Sequence, residues 1–117
     1  MEKENCTHVE EHSKAVERTK ERMLAGENME KVCNLFRVLA EPSRMKIVMA
    51  LLQGETCVYH IAEGVGGAQS AVSHQLRILK DNGIVKSRRE GQSILYSLAD
   101  EHIIKIIEMA SEHSACL

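Results

Sequence analysis

The pattern that most restricts the fold of this chain lies between residues 58 and 98. A short helix is predicted for Val58–Glu63, and a second helix is predicted for Gln69–Asp81. The glycine-rich segment 64–67 separates them. Two short helices joined by a tight, glycine-containing turn are typical of a helix-turn-helix.

Directly after Gly83 the hydrophobic period changes from helical spacing to two. Residues 84–88 and 93–98 therefore predict two strands, and the polar segment 89–92 predicts the turn of a β-hairpin. A helix-turn-helix followed by a hairpin is a winged helix, whose second helix would enter the major groove of DNA. The predicted fold class is mainly α (α+β): a winged helix-turn-helix with further helices at its N- and C-terminal ends.

A chain of 117 residues has the length of one small domain. Within it we predict an N-terminal arm and first helix in residues 1–27, a winged helix-turn-helix core in residues 28–99, and a C-terminal helix in residues 100–117. Hydrophobic spacing and breaker residues predict three helices before the helix-turn-helix, at about residues 8–24, 29–40 and 42–53. Asn28 and Asp100 are residue types that cap helix N-termini.

Charge and hydropathy exclude several classes of protein. Fifteen basic and seventeen acidic side chains give a net charge of −2, so any nucleic-acid surface must be local. Aromatic residues are only 3% of the chain, which disfavours a platform for stacking single-stranded bases. No apolar run approaches the roughly 18 residues of a membrane span, and the N-terminus lacks the apolar segment of a secretion signal. We therefore expect a cytoplasmic protein without a membrane partner.

A local basic surface is predicted on the second helix and the hairpin. Residues 68–98 contain five basic and two acidic side chains. Glutamine can pair with adenine edges, while serine and the basic residues can contact bases or phosphates. The predicted DNA-binding residues are Gln69, Ser70, Ser73, His74, Gln75, Arg77, Lys80, Arg88, Arg89 and Gln92. The alternative is that these are merely the solvated faces of a small α+β domain; the order of elements, the Ser/Gln-rich second helix and the basic hairpin together favour double-stranded DNA.

Four segments together resemble the SmtB/ArsR family of bacterial metal-sensing repressors. They are Leu39–Arg44 (LAEPSR), Gln69–Leu76 (QSAVSHQL), Arg88–Gln92 (RREGQ) and Tyr96–Leu98 (YSL). The resemblance covers about residues 29–116. It implies a winged-helix homodimer that binds a palindromic operator and leaves it when a metal ion binds. In such a homodimer the N- and C-terminal helices are dimerisation helices, and residues 100–117 form the C-terminal dimerisation and metal-binding helix.

The last helix carries four side chains with metal-ligand chemistry, namely Asp100, His102, His113 and Cys116. A carboxylate, two imidazoles and a thiol suit tetrahedral zinc. On one helix His102 and His113 would point to nearly the same side but lie about 16 Å apart, too far for one ion to join. Two such helices packed antiparallel across a two-fold axis would create two equal sites, each with Asp100 and His102 from one subunit and His113 and Cys116 from the other.

The spacing D-x-H-x10-H-x2-C is similar to the family's C-terminal-helix site, whose pattern ends in His or Glu. Cys116 departs from that pattern, and its softer thiolate adds Cd(II) to Zn(II) as a candidate effector. Co(II) is a further candidate, because ligand identity alone does not decide which ion operates the switch.

A second candidate site lies at the start of the first short helix, where Cys57 and His60 share a face because they are three residues apart. Some members of the family carry a second metal site there, completed by residues of the N-terminal arm. In this chain the arm offers Cys6, His8 and His12. The alternative function is therefore a Cd(II)/Pb(II) sensor acting through Cys57 and the arm. Family members that sense these ions resemble one another in having a second cysteine after the one that matches Cys57. This chain has Tyr59 at that position.

Two other classes of protein are alternatives to a metal-sensing repressor. A thiol-redox-sensing repressor would use Cys6 and Cys57, but would leave the six histidines without a purpose. A zinc hydrolase needs an open coordination position and a nearby base, and the chain has neither an H-E-x-x-H motif nor a glycine-rich phosphate loop. We therefore predict no enzymatic activity and no small-molecule substrate.

Overall fold

The computed structural model describes residues 9–23 and 25–117. The chain divides into two compact units, Met1–Cys33 and Asn34–Leu117. The elements in chain order are α1 (Val9–Arg22), α2 (Gly26–Leu39), α3 (Pro42–Leu51), β1 (Thr56–Cys57), α4 (Val58–Val65), α5 (Gln69–Asp81), β2 (Val85–Glu90), β3 (Ser93–Leu98) and α6 (Glu101–Ala115).

The first unit contains α1 and the beginning of α2. In α1 the first turn is acidic and the last turn is basic, an order that complements the helix dipole. The start of α2 differs from the sequence prediction, because the helix begins at Gly26 and Asn28 lies within its first turn. Asn28 is therefore not the N-cap of this helix, and the prediction was wrong.

The second unit contains the hydrophobic core. Its best-buried side chains come from α3, α4, α5 and the residue before β2, and they are Ile47, Val48, Ile61, Leu76, Leu79 and Ile84. Ile103 and Ile107 join the same core from α6. Within the described parts of the chain no side chain in this core is polar, and no helix is both long and apolar enough to cross a membrane.

The helix α3 begins where the sequence predicted, with Pro42 in its first turn. The N-cap is Glu41, whose Oε2 accepts a hydrogen bond from the Arg44 backbone N–H at 3.0 Å. That bond satisfies one of the backbone donors that a helix start leaves unpaired. The helix ends at Leu51, two residues before the predicted end.

The helix-turn-helix consists of α4, its glycine turn and α5. Gly66 ends α4 with a φ of 76°, a left-handed conformation that glycine adopts without a steric penalty. The helix extends to Val65, two residues beyond the predicted end, whereas α5 has the predicted bounds. The helix-turn-helix reading of the sequence is thereby confirmed.

The sheet has the strand order β1-β3-β2, and both pairings are antiparallel. The hairpin turn is shorter than predicted, because Glu90 pairs with Ser93 and leaves only Gly91 and Gln92 between the strands. Gly91 has a φ of 63°, as the first position of a type II′ turn requires. The two-residue strand β1 was not predicted, because it is too short to show alternation.

Candidate DNA-binding surface and metal-ligand residues

One face of α5 is buried and the opposite face is exposed. Val72, Leu76 and Leu79 pack into the core. The exposed side carries most of the predicted DNA-binding residues, namely Gln69, Ser70, Ser73, His74, Arg77 and Lys80. This helix thus presents a polar and basic surface to solvent while its apolar face fixes its position.

Gln75 differs from the other predicted DNA-binding residues of α5. Its side chain is half-buried, and its Oε1 atom is buried without a hydrogen-bond partner. It lines a groove together with Ser43 and Lys46 from the start of α3. The structure therefore places Gln75 at the edge of the exposed face rather than in its centre.

The hairpin continues this basic surface, and Arg88, Arg89 and Gln92 are all exposed. Arg88 is tied into the protein, because its guanidinium makes two hydrogen bonds to Glu55 at 2.7 and 2.8 Å. Its Nη2 atom also lies 2.8 Å from Glu90 Oε2. Hydrogen bonds from Arg88 lower the pKa of Glu55, and those with Glu55 and Glu90 raise the pKa of Arg88.

Asp100 is the N-cap of α6, as the sequence predicted. Its Oδ1 atom accepts hydrogen bonds from the backbone N–H groups of His102 at 2.9 Å and Ile103 at 3.2 Å. The hydrogen bond from Ile103 and then that from His102 lower the pKa of the Asp100 carboxyl. The other carboxylate oxygen, Oδ2, makes no hydrogen bond in the described part of the chain, so capping leaves it available to a ligand.

The side chain of His102 is 89% exposed, and its Nδ1 atom lies 3.5 Å from Asp100 Oδ1. His113 and Cys116 are also exposed, at the other end of the same helix. Across residues 9–23 and 25–117 no three His, Cys, Asp or Glu side chains lie close enough together to hold a metal ion. One chain therefore presents the four predicted ligands as two separate groups.

Cys57 and His60 are in contact, with 3.3 Å between Cys57 Sγ and His60 Nδ1. Thr56 Oγ1 lies at the same distance from that nitrogen. The Tyr59 hydroxyl donates a hydrogen bond to Glu63 at 3.0 Å. Of the arm residues predicted to complete this site, Cys6 and His8 lie outside the described residues, and His12 lies in α1 in the first unit.

Sequence reasoning missed two residues of this region, Glu55 and Thr56. Glu55 pairs with Arg88, which is 33 positions later in the chain, and Thr56 contacts the imidazole of His60. Nothing in the spacing of Glu55 and Arg88 signals their pairing, because it depends on β1 joining the sheet. Thr56, in contrast, lies four residues before His60, and this local spacing could have indicated the contact.

Comparison with known proteins identifies the family of this chain. A family model described as "Bacterial regulatory protein, arsR family" matches residues 41–87. A transcriptional repressor SmtB homolog from Synechocystis sp. is 35% identical, over 87% of this chain and 77% of its own length. A cadmium resistance transcriptional regulatory protein CadC homolog from Staphylococcus aureus is 39% identical, over 97% of this chain and 93% of its own length.

Among solved structures, a homodimeric winged helix-turn-helix DNA-binding domain from Mycobacterium bovis superposes with a TM-score of 0.72. It is 28% identical, and the match covers 79% of this chain and 91% of that domain.

Helix-turn-helix, hairpin and exposed basic face together define a winged helix-turn-helix transcriptional regulator that binds DNA. This class consists of regulators and not of enzymes. The chain belongs to the arsR family of bacterial regulatory proteins, and the resemblance seen in the sequence is confirmed.

Proposed function

We propose that this protein is a cytoplasmic, homodimeric, metal-responsive repressor. The metal-free dimer binds a palindromic operator, and Zn(II) releases it by binding between the C-terminal helices. Each of two equal sites takes Asp100 and His102 from one subunit and His113 and Cys116 from the other. The names of the SmtB and CadC relatives and the homodimeric solved structure support this proposal.

The observation that carries the proposal is the division of ligand-type side chains along α6. Asp100 and His102 are exposed at its first turn, and His113 and Cys116 are exposed at its last. A helix rises about 1.5 Å per residue, so the two groups are about 16 Å apart and cannot share an ion within one chain. A second copy packed antiparallel brings the two halves together, and its symmetry generates two sites.

The residues fit a zinc ion in their chemistry. Carboxylate oxygen, imidazole nitrogen and thiolate sulfur are all ligand types that bind zinc in proteins. Oδ1 of Asp100 caps the helix and Oδ2 remains for a metal, so binding need not break the cap. Zinc would supply a crosslink between the two helices, while the chain's own residues hold the ion and fix the helix ends.

Release of DNA follows from where α6 is attached. It comes directly after the hairpin, with only Ala99 and the cap residue Asp100 between β3 and its first turn. A crosslink between two such helices fixes the angle between the two winged helix-turn-helix units of the dimer. Major-groove binding by a dimer requires these units to lie about 34–36 Å apart, and a metal that favours another spacing weakens DNA binding, as DNA weakens metal binding.

The test is operator binding by fluorescence anisotropy, with and without stoichiometric zinc, on an operator selected from random-sequence duplex DNA. Salt is held fixed because affinity depends steeply on it. We expect zinc to weaken wild-type binding at least about tenfold, which corresponds to about 1.4 kcal/mol. The His102→Ala/His113→Ala variant should bind the operator but ignore zinc.

A second candidate function is a metal sensor that works through Cys57 and His60. The 3.3 Å contact between the thiol and the imidazole favours it, because two ligand types already lie side by side. The control variant Cys57→Ser/His60→Ala separates the two functions in the same assay. If this variant loses the metal response and His102→Ala/His113→Ala retains it, the ion that regulates binding sits at the pair.

A further inference from the structure

The strand β2 carries two consecutive arginines in different environments. Arg88 makes a two-pronged contact with Glu55 and a further contact with Glu90. Arg89 makes no hydrogen bond or ion pair within residues 9–23 and 25–117. From the sequence alone both arginines are predicted to bind DNA, but the structure places them in different environments.

The two side chains project from opposite faces of the sheet, because successive residues of a strand alternate. Arg89 shares its face with Ser87, whose hydroxyl oxygen accepts a hydrogen bond from Lys80 Nζ at 2.7 Å. Lys80 belongs to the last turn of α5. The face that carries Arg89 is therefore joined to the end of the predicted DNA-reading helix.

Arg88 lies on the other face and spans the sheet. Arg88 and Cys57 are both register partners of Leu95, one from each side of the central strand β3. Glu55 precedes Cys57 by two residues, so it continues the same alternation. The Arg88–Glu55 pair therefore reaches across β3, from β2 to the residue just before β1, and fixes the hairpin to that segment.

The charge of Arg88 is already matched by two carboxylates. A paired guanidinium and carboxylate form parallel, charge-assisted hydrogen bonds that fix orientation as well as distance. A DNA phosphate that approached Arg88 would meet the negative charges of Glu55 and Glu90, and Nε and Nη2 of the guanidinium are already engaged by these two carboxylates. No carboxylate neutralises Arg89 in the described part of the chain.

We propose that Arg88 is a positioning residue that fixes the wing through Glu55, and that Arg89 is the wing residue that contacts the DNA phosphate backbone. The inference rests on the proposed function in one respect, namely that the dimer binds duplex DNA. It assigns different roles to neighbouring residues of the same charge.

The test compares Arg88→Gln with Arg89→Gln, a matched pair that removes the same charge one position apart. The probe is a fluorescein-labelled duplex of about 30 base pairs, enough for two half-sites one helical turn apart, titrated over a series of salt concentrations. We expect Arg89→Gln to reduce the slope of log affinity against log salt by about two, because the dimer loses one phosphate contact in each of its two subunits. Arg88→Gln should leave that slope unchanged, although affinity falls because the wing is less well held.

A charge swap provides the second measurement. Arg88→Glu places a third carboxylate beside Glu55 and Glu90, so DNA binding should fall steeply. Adding Glu55→Arg recreates the bridge with its charges exchanged, and we expect binding to recover at least about tenfold over Arg88→Glu alone. A phosphate-contacting Arg88 could not be rescued in this way, because the double variant still has a glutamate at position 88.

Several results would overturn the inference. Equal losses of salt slope in the two glutamine variants would show that Arg88 also contacts phosphate, and a charge swap no better than Arg88→Glu would show that the bridge has no positioning role. Amide hydrogen exchange should be faster in β2 for Arg88→Gln than for Arg89→Gln, and equal rates would also count against it. A wild-type protein that bound no duplex would contradict the proposed function itself and the inference with it.

Discussion

The two groups of candidate metal ligands are built in opposite ways. Cys57 and His60 are three residues apart and touch within one chain, with 3.3 Å between sulfur and nitrogen. His102 and His113 are eleven residues apart on a continuous helix, so they cannot meet in one chain. The first group is a product of local sequence, whereas the second needs another copy of the protein.

That difference bears on regulation. Metal bound to the Cys57–His60 pair, whose two ligands come from one chain, need not change the relation between two subunits. A site divided between subunits cannot fill without fixing that relation, and a dimeric DNA-binding protein depends on it for the spacing of its half-sites. For this reason we assign the switch to α6, although the pair at Cys57 is the better-formed group in the single chain.

The largest effect on zinc affinity is expected for His113→Ala, which removes a ligand of the group on α6. Loss of one ligand should lower zinc affinity at least about a hundredfold, since losing even a hydrogen-bond partner of a ligand costs about 10–100-fold. Competition with a chromophoric zinc chelator measures this change. His74→Ala is the matched control, because His74 is an exposed histidine on α5 outside both groups, and its zinc affinity should equal that of the wild type. Equal losses in both variants would contradict the assignment.

Asp100→Asn separates a metal ligand from a helix cap. Asparagine retains the oxygen that accepts from the His102 and Ile103 backbone N–H groups. The variant should therefore keep the cap, with only a small loss of thermal stability because the carboxylate with the lowered pKa is gone, but should lose about tenfold or more in zinc affinity. Glu41→Gln is the control, since Glu41 also caps a helix with its carboxylate but lies in neither group. A fall in zinc affinity for Glu41→Gln would mean that the effect is not specific to the site.

Cys57→Ser should affect metal binding at the pair but not the switch. We expect the thiolate-to-metal absorption of the Co(II) form to decrease, with Cys116→Ser as the comparison for the α6 sulfur. Zinc-driven release of the operator should stay within about threefold of wild type, a difference of about 0.7 kcal/mol. If Cys57→Ser no longer released the operator when zinc binds, the regulatory metal site would be at Cys57 and His60 and not on α6.

The smallest expected effect is on the pH dependence of stability, and it involves Glu41, a helix cap that belongs to neither group of candidate ligands. The Arg44 backbone N–H holds the pKa of Glu41 below its ordinary value. A carboxyl with a lowered folded-state pKa adds stability above its unfolded pKa, and this stability is lost as pH falls through the folded value. Wild type should thus be more stable than Glu41→Gln at neutral pH, and the difference should shrink in acid. Thermal melts over a pH series measure it, and a difference that grows toward acid would contradict the assignment.

Sequence reasoning succeeded where the information is local. The bounds of α5 follow from the spacing of Val72, Leu76 and Leu79, and the cap at Asp100 follows from its residue type. These features depend on neighbours within a few positions. They could therefore be predicted without knowing the rest of the fold.

It failed where an element depends on distant partners. The strand β1 exists because it pairs with Tyr96 and Leu95, about 40 residues later. The Arg88–Glu55 bridge depends on the same pairing, so neither arginine of the hairpin could be given its role from charge alone. The start of α2 is a further error of prediction. Asn28 is a residue type suited to a helix cap, but the helix begins at Gly26 and includes it.

The most direct test asks whether two defective copies can complete one site. One copy carries Asp100→Asn/His102→Ala and the other carries His113→Ala/Cys116→Ser, and mixed dimers are purified through two different tags. In a mixed dimer one set of four ligands is intact and the other is fully disrupted. We predict that neither parental dimer binds zinc tightly, whereas the mixed dimer binds one ion and releases the operator when it does. A mixed dimer as inactive toward zinc as its parents would contradict an intersubunit site on α6.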